Sequence, residues 1–281
     1  MFMKFSLIRS KKFKLQLLLV IVMHVAGILK NNVSAQTNNS LKLNDPKLME
    51  WRVKGITRKA MVYIPTAVPN EPMPVIFAFH GHGGTMGNIY NTRRFDKLWP
   101  EAIFICPQGL NTPGALTDPE GKSPGWQMDD QETNKDLQFF DAMLNTLKND
   151  YKIDQKRIYV TGHSNGGGFT YLLWATRGDV FAGVAPTASV AGRLITKIKP
   201  KPAFHLVGET DPLVKPQWQK RTYMAVMKLN KCSLQGEKID QFTTLYSSES
   251  GNPFVLFTHS AGHQYPIGAN EAILTFFKSI K

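Results

Sequence analysis

The chain has 281 residues, 42% of them hydrophobic, with 34 Lys and Arg against 21 Asp and Glu for a formal net charge of +13. Six of those basic residues and none of the acidic ones fall within the first 35, so the remainder carries 34 − 6 = 28 against 21, a net +7. With no Lys/Arg-rich block interleaved with aromatics, that excess argues against a nucleic-acid binder, and two cysteines without a CxxC neighbour exclude a disulfide framework and a zinc or redox motif.

Lys4, Arg9, Lys11, Lys12 and Lys14 precede an apolar run, Leu15 to Leu29, and Val33 to Ala35 offers small residues at a cleavage-like position. This is the layout of a signal peptide over residues 1–35. The run is shorter than the ~20 residues that span a bilayer, and the alternative is an uncleaved N-terminal anchor. The expectation is a secreted or periplasmic protein with no stable membrane insertion after processing. Residues 36–46 read as a loose polar linker and 47–281 as one domain.

Within that domain strand-like and helix-like runs alternate. Met61 to Pro65, Pro74 to Gly81 and Ala102 to Gly109 read as strands. Leu137 to Lys148 carries Phe140, Met143, Leu144 and Leu147 at i, i+3, i+4 and i+7, the period of a helix. "RIYVTG" is a strand leading into a glycine-led helix, and "FAGVAPTAS" and "AFHLVG" are two more strands. Pro216 to Lys228 reads as a helix, "FVLFTH" as a strand, and Ile273, Phe276, Phe277 and Ile280 mark a last helix. Near-continuous apolar strands separated by helices predict an α/β fold: a mostly parallel sheet covered on both faces, without a large lid. In such sheets ligands sit beyond the carboxyl ends of the strands. A long Gly/Pro/Asp-rich loop, Pro113 to Glu132, falls on that side, and loops of this length are often functional.

"GHSNG", Gly162 to Gly166, is a G-x-S-x-G sequence lying after a strand and before a helix, the context that motif requires. Three consecutive glycines, Gly166 to Gly168, open that helix although each costs roughly 1 kcal/mol in a helix interior relative to alanine. A sharp turn explains them. Ser164 must adopt a strained conformation, a β-carbon at Gly162 or Gly166 would clash, and Gly167 and Gly168 let the helix pack closely. The serine oxygen then stands at a helix N-terminus, where developing negative charge is favoured.

A serine needs a base, and the base an orienting acid, in the order Ser, Asp/Glu, His. "HLVGETDP" delivers Asp211 at a strand end, with Glu209 as a competing carboxylate. "FVLFTHSAGHQYP" delivers His263 in a glycine-flanked loop, while His259 lies within the strand. "FHGHGGT", Phe79 to Thr85, follows an apolar strand, and its backbone can help form an oxyanion hole. One N–H is expected from Asn165 and a second from His82. His80 and His82 could instead ligate a metal, but no third ligand is evident, so no metal is assigned. Trp126 lies in the long loop and is a candidate to stack on a sugar or a phenolic acid, or simply to bury the loop. His163 and Tyr265 are further substrate-contact candidates. Asp129, Asp130 and Glu132 read as solvated loop charges. Cys106 ends an apolar run and reads as a buried free thiol, with a bridge to Cys232 as the alternative.

These motifs give the sequence a recognisable likeness. "HGHGGT", "YKIDQKRIYVTGHSNGG", "VFAGVAPTAS", "GETDPLV" and "AGHQYP" resemble the α/β-hydrolase carbohydrate esterases that include secreted feruloyl esterases and polyhydroxybutyrate-depolymerase-like proteins. The resemblance implies Ser164 as nucleophile, Asp211 as acid, His263 as base and a cofactor-free reaction through an acyl-enzyme. It implies a substrate of acylated polysaccharide or oligosaccharide. Rival readings are a polyhydroxyalkanoate depolymerase, a peptidase of the same fold and a non-catalytic carbohydrate-binding protein. The group often carries a Trp shortly after the base, where Gln264 and Tyr265 stand here. Many members pair a cysteine near Cys232 with one before the histidine strand, and this chain has no such partner.

Overall fold

The computed structural model describes residues 44–66 and 71–280, so the expected signal peptide and residues 36–43 of the expected linker lie outside the described residues. In chain order the elements are β1 (Lys47–Val53), β2 (Ile56–Tyr63), β3 (Met73–Phe79), α1 (Met86–Arg93), α2 (Phe95–Leu98), β4 (Ile103–Pro107), β5 (Leu110–Asn111), β6 (Pro124–Gly125), α3 (Lys135–Asp150), β7 (Ile153–His163), α4 (Asn165–Arg177), β8 (Gly183–Thr187), β9 (Ala203–Gly208), α5 (Pro216–Leu229), β10 (Glu237–Lys238), β11 (Thr243–Tyr246), β12 (Phe254–His259) and α6 (Ala269–Ser279).

Ten strands form one sheet in the order β1-β2-β4-β3-β7-β8-β9-β12-β11-β10. The six from β4 to β12 run parallel, and antiparallel strands finish both edges. The pleat sends alternate side chains to opposite faces. Along β3, Val75, Phe77 and Phe79 pack into one core layer with Phe140 of α3 and Phe169 of α4. Ile76 and Ala78 face the other, with Ile89 of α1, Phe95 of α2 and Phe277 of α6. This double cover is why the strands read as unbroken apolar runs. Cys106 and Cys232 are both free, and they pack against opposite layers of the sheet.

Several elements go beyond the sequence reading. The hairpin β1–β2 begins ahead of the strand expected from Met61, turning through Lys54 and Gly55 at φ 46° and 82°, the double left-handed geometry of a tight two-residue turn. β1 buries only Trp51, which leaves little alternation to read. α1, whose cap Thr85 accepts from the Asn88 N–H, and α2 were also not expected, nor were the short edge strands β10 and β11. α3 begins earlier than Leu137 because the Asn134 side chain accepts from the N–H groups of Asp136 and Leu137. Among the described residues no helix is long and apolar enough to cross a membrane.

The loop 113–132 is tied at its base. β5 and β6 pair across it, and Arg58 reaches under it to Asp136 at 2.7 Å, both side chains being buried. Arg58 also donates to the carbonyls of Lys135 and Gln108, while Asp136 accepts from the Gln127 N–H. Removing one partner strands a buried charge, which costs about 3–5 kcal/mol. Asp136→Ala is therefore expected to lower unfolding free energy by about that amount in urea titration. A loss under about 1 kcal/mol would show that the pair does not hold the loop.

Candidate active site

β7 ends in the middle of the sheet, and the chain reverses into α4 through Ser164, which sits at φ 56° and ψ −117°. Such a conformation costs about 1–3 kcal/mol and persists only when its surroundings enforce it. Here the Ser164 N–H donates to the Thr187 carbonyl at 2.9 Å, and the Gly168 N–H to the Ser164 carbonyl at 2.9 Å. A β-carbon at Gly162 would overlap the Gly166 carbonyl, and one at Gly166 would overlap the Phe79 carbonyl. Gly167 faces Ser189 and the Thr187 carbonyl. Gly168 makes room for Met128 of the long loop, so the third glycine serves the loop and not the sheet.

Three side chains from distant strand ends meet at this turn. His263 Nε2 lies 2.7 Å from Ser164 Oγ, and His263 Nδ1 lies 2.7 Å from Asp211 Oδ2. Because a carboxylate only accepts, Nδ1 carries the proton and Nε2 is the acceptor for the Ser164 hydroxyl. Asp211 is buried, and its other oxygen accepts from the N–H groups of Leu213 and Val214 at 2.9 Å each. Glu209 is exposed and makes no contact with His263, whereas His259 stays inside β12.

The loop after β3 adjoins the serine: a β-carbon on Gly81 would lie 3.6 Å from Ser164 Cβ. Two of its N–H groups are engaged, Gly83 with the Pro124 carbonyl at 2.7 Å and Gly84 with the Gly81 carbonyl at 3.0 Å. Among the described residues no protein acceptor takes the N–H of His82 or that of Asn165. The His82 ring turns away to Asp118 at 3.0 Å, and that hydrogen bond holds the Asp118 carboxyl down to about 2, below the usual carboxylate range. His80 is also spent on structure, its Nδ1 donating to the Gly81 carbonyl and its Nε2 accepting from the Gly109 N–H. Among the described residues no group of three or more His, Cys, Asp or Glu is placed to hold a metal ion.

Of the three substrate-contact candidates, the structure buries Trp126 completely and leaves His163 and Tyr265 partly exposed. Trp126 is fully buried against Phe79 and Phe169 and donates from Nε1 to the His80 carbonyl at 2.8 Å. The Asn165 side chain clamps its backbone on both sides. It is the pin that holds the loop down, and no face is left for a sugar. His163 uses both ring nitrogens within the protein: Nε2 donates to the His263 carbonyl, and Nδ1 lies 3.1 Å from the Thr187 hydroxyl. The Tyr265 hydroxyl donates to Asn270, and the Arg93 guanidinium stacks on its ring at 3.1 Å. Of the three loop acids, Asp130 is mostly buried and pairs with Lys197, whereas Glu132 pairs with Arg177 while its side chain stays largely in solvent, as expected. Asp129 accepts from Gln127 Nε2. The sequence reading missed what lies behind Asp211, where Gln219 on α5 donates to Oδ2 at 3.2 Å.

A covered, mostly parallel sheet with a strained serine after its central strand, an acid after β9 and a histidine after β12 defines an α/β-hydrolase, and this chain has that fold. The sequence model of the prolyl oligopeptidase family matches residues 121–235. Feruloyl esterase C of Emericella nidulans is 31% identical over 127 residues, which cover 42% of this chain and 40% of that protein. A bifunctional acetylxylan esterase/xylanase of Neocallimastix patriciarum is 28% identical over 178 residues, 62% of this chain and 24% of that protein. The chain thus spans less than half the length of these relatives. Among solved structures, an acetyl xylan esterase from Aspergillus awamori superimposes with a TM-score of 0.62 at 17% identity, covering 82% of this chain and 98% of that one. A ferulic acid esterase from Anaeromyces mucronatus, solved with ferulic acid, gives 0.59 at 14% identity over 87% and 93%.

Burial pushes the rings of His80 and His205 down to about 4 and that of His163 to about 3, where the nearby charge of Arg93 adds to the effect. All three are neutral in the fold. The stability they confer is complete above their unfolded value near 6.5 and is lost as pH falls below it. Each proton taken up by the unfolded chain alone contributes about 1.4 kcal/mol per pH unit. Thermal unfolding followed by circular dichroism should show Tm falling steadily from pH 7.5 to 5, a range in which ordinary carboxylates stay ionised. A level Tm across that range contradicts neutral burial.

Proposed function

We propose that this protein is an exported serine carboxylesterase that removes feruloyl- or acetyl-type groups from plant polysaccharide. The observation that carries this reading is the unbroken hydrogen-bond chain Asp211–His263–Ser164, with 2.7 Å at both His263 links. Ser164 Oγ attacks the ester carbonyl carbon as His263 Nε2 accepts its proton. The imidazolium is stabilised by Asp211, which also fixes the ring orientation. The carbonyl oxygen becomes an oxyanion within reach of the His82 and Asn165 N–H groups, and one such donor is worth about 3 kcal/mol in the transition state. Collapse breaks the bond to the sugar oxygen, which takes the proton from His263. Water, deprotonated by the same nitrogen, then attacks the acyl-enzyme, releases the acid and restores Ser164.

The similarity to proteins named feruloyl and acetylxylan esterases supports the substrate class. In this reading residues 1–35 direct export and are removed, residues 36–46 link, and residues 47–281 form the catalytic unit. A second reading, a peptidase, is favoured by the prolyl oligopeptidase match over residues 121–235. Methyl ferulate and acetylated xylan set against an aminoacyl p-nitroanilide separate the two: an esterase prefers the first pair.

Ser164→Ala is expected to lower turnover of p-nitrophenyl acetate by about 10³-fold or more. It should also abolish labelling by a fluorophosphonate probe, which mass spectrometry would place on Ser164 in the unmodified protein. Turnover that survives the substitution sinks the proposal.

A further inference from the structure

Behind the carboxylate of Asp211 lies a buried polar chain that the hydrolytic mechanism does not call upon. Gln219, on the inner face of α5, sends Nε2 to Asp211 Oδ2 at 3.2 Å and to the Val214 carbonyl at 2.6 Å. Its Oε1 lies 3.1 Å from His205 Nε2, and His205 Nδ1 lies 3.0 Å from the Tyr171 hydroxyl. Tyr171, His205 and Gln219 are each no more than 1% exposed.

The proton positions along this chain are determined. Both groups facing one end of the Gln219 amide, a carboxylate and a carbonyl, can only accept, so that end is the nitrogen. The oxygen then faces His205, which must donate from Nε2 and leave Nδ1 to accept from the Tyr171 O–H. The reverse arrangement would set the amide oxygen against two acceptor oxygens in a buried site. Burial keeps His205 neutral, so a single proton resides on its ring. We propose that Gln219 is a positioning residue for Asp211, and that the Tyr171–His205 pair holds the Gln219 amide nitrogen toward the carboxylate. This rests on the reading of Asp211, His263 and Ser164 as the catalytic triad.

A donor on Oδ2 holds the carboxylate in the plane that meets His263 Nδ1 and withdraws charge from it. Without that donor, the carboxylate holds the protonated imidazole more strongly and points less accurately. The other groups near this pair that titrate or carry charge are His163, His259, Glu209 and Arg93, and none of them contacts Gln219.

The test is Gln219→Leu, assayed with p-nitrophenyl acetate across pH 5 to 9. Loss of a hydrogen bond to a charged group predicts a kcat about 10- to 100-fold lower. KM should change by less than about twofold, since no substrate group is touched. The acid limb of kcat/KM should move to higher pH. A purely structural role for Gln219 would lower Tm and the active fraction titrated by fluorophosphonate while leaving the limb in place, and that result overturns the proposal. So does a variant with unchanged kcat and limb. Both are distinct from failure of the triad itself, which is read from Ser164→Ala. Nitrogen-15 NMR of the wild-type protein tests the chain without any variant. His205 should appear as the neutral Nε2–H form throughout pH 5 to 9, and an Nδ1–H form means that the Gln219 amide faces the other way and the proposal is wrong.

Discussion

The site depends on one strained residue. Ser164 stands in a backbone conformation that a serine avoids, and the fold surrounds it with contacts that allow no other. Its own N–H is taken by the Thr187 carbonyl of the next strand, and Gly162 and Gly166 let the two arms of the turn close to backbone contact. The strain goes with a useful geometry, because Oγ meets His263 Nε2 and, among the described residues, no protein acceptor takes the Asn165 N–H. Every other part of the site is placed with respect to that turn. Gly81 abuts it, Trp126 is clamped by the residue that follows it, and His163 on its other side holds the carbonyl of His263.

Neutral histidines recur in this arrangement, and each has a fixed proton. His80 joins the loop after β3 to Gly109 between β4 and β5, His163 joins the turn to the loop carrying His263, and His205 meets the Gln219 amide. Buried imidazole suits this work, because one ring offers a donor and an acceptor about two bond lengths apart and in one plane. The same polarity makes such rings vulnerable to acid, since protonation converts their acceptor nitrogen into a second donor facing another donor. His82, by contrast, engages a carboxylate nearer the surface and ties the loop that carries Asp118 to the strand end.

The arrangement of strands and the meeting of Ser164, Asp211 and His263 were legible because each follows the end of an apolar run, and the chain must place something at those ends. The glycines of the turn were legible for the same reason. What could not be read was direction. Trp126 lies in a polar, Gly/Pro-rich loop that suggests an exposed ring, yet the loop folds back and uses that ring as its anchor. His163 and Tyr265 neighbour Ser164 and His263 in sequence, and their polar atoms meet partners within the protein that no spacing announces. Gln219 occupies an inward position of α5, where a polar residue is a sign of a buried network, and it passed unnoticed because its partners come from β9, α4 and the Asp211 loop. The β1–β2 hairpin escaped because an edge strand that buries one side chain carries almost no periodicity.

The pinned base of the loop 113–132 separates two tasks that might otherwise interfere. From Trp126 toward α3 the chain is fixed to the turn at Ser164 through Asn165, while in the tip beyond the β5–β6 pair Leu116 is 60% exposed. Asp118 in that tip reaches back to the His82 ring, so the tip keeps one tether to the loop beside Ser164. Such a tip is an adjustable cuff, whose exposed residues can vary so long as that single tether is kept.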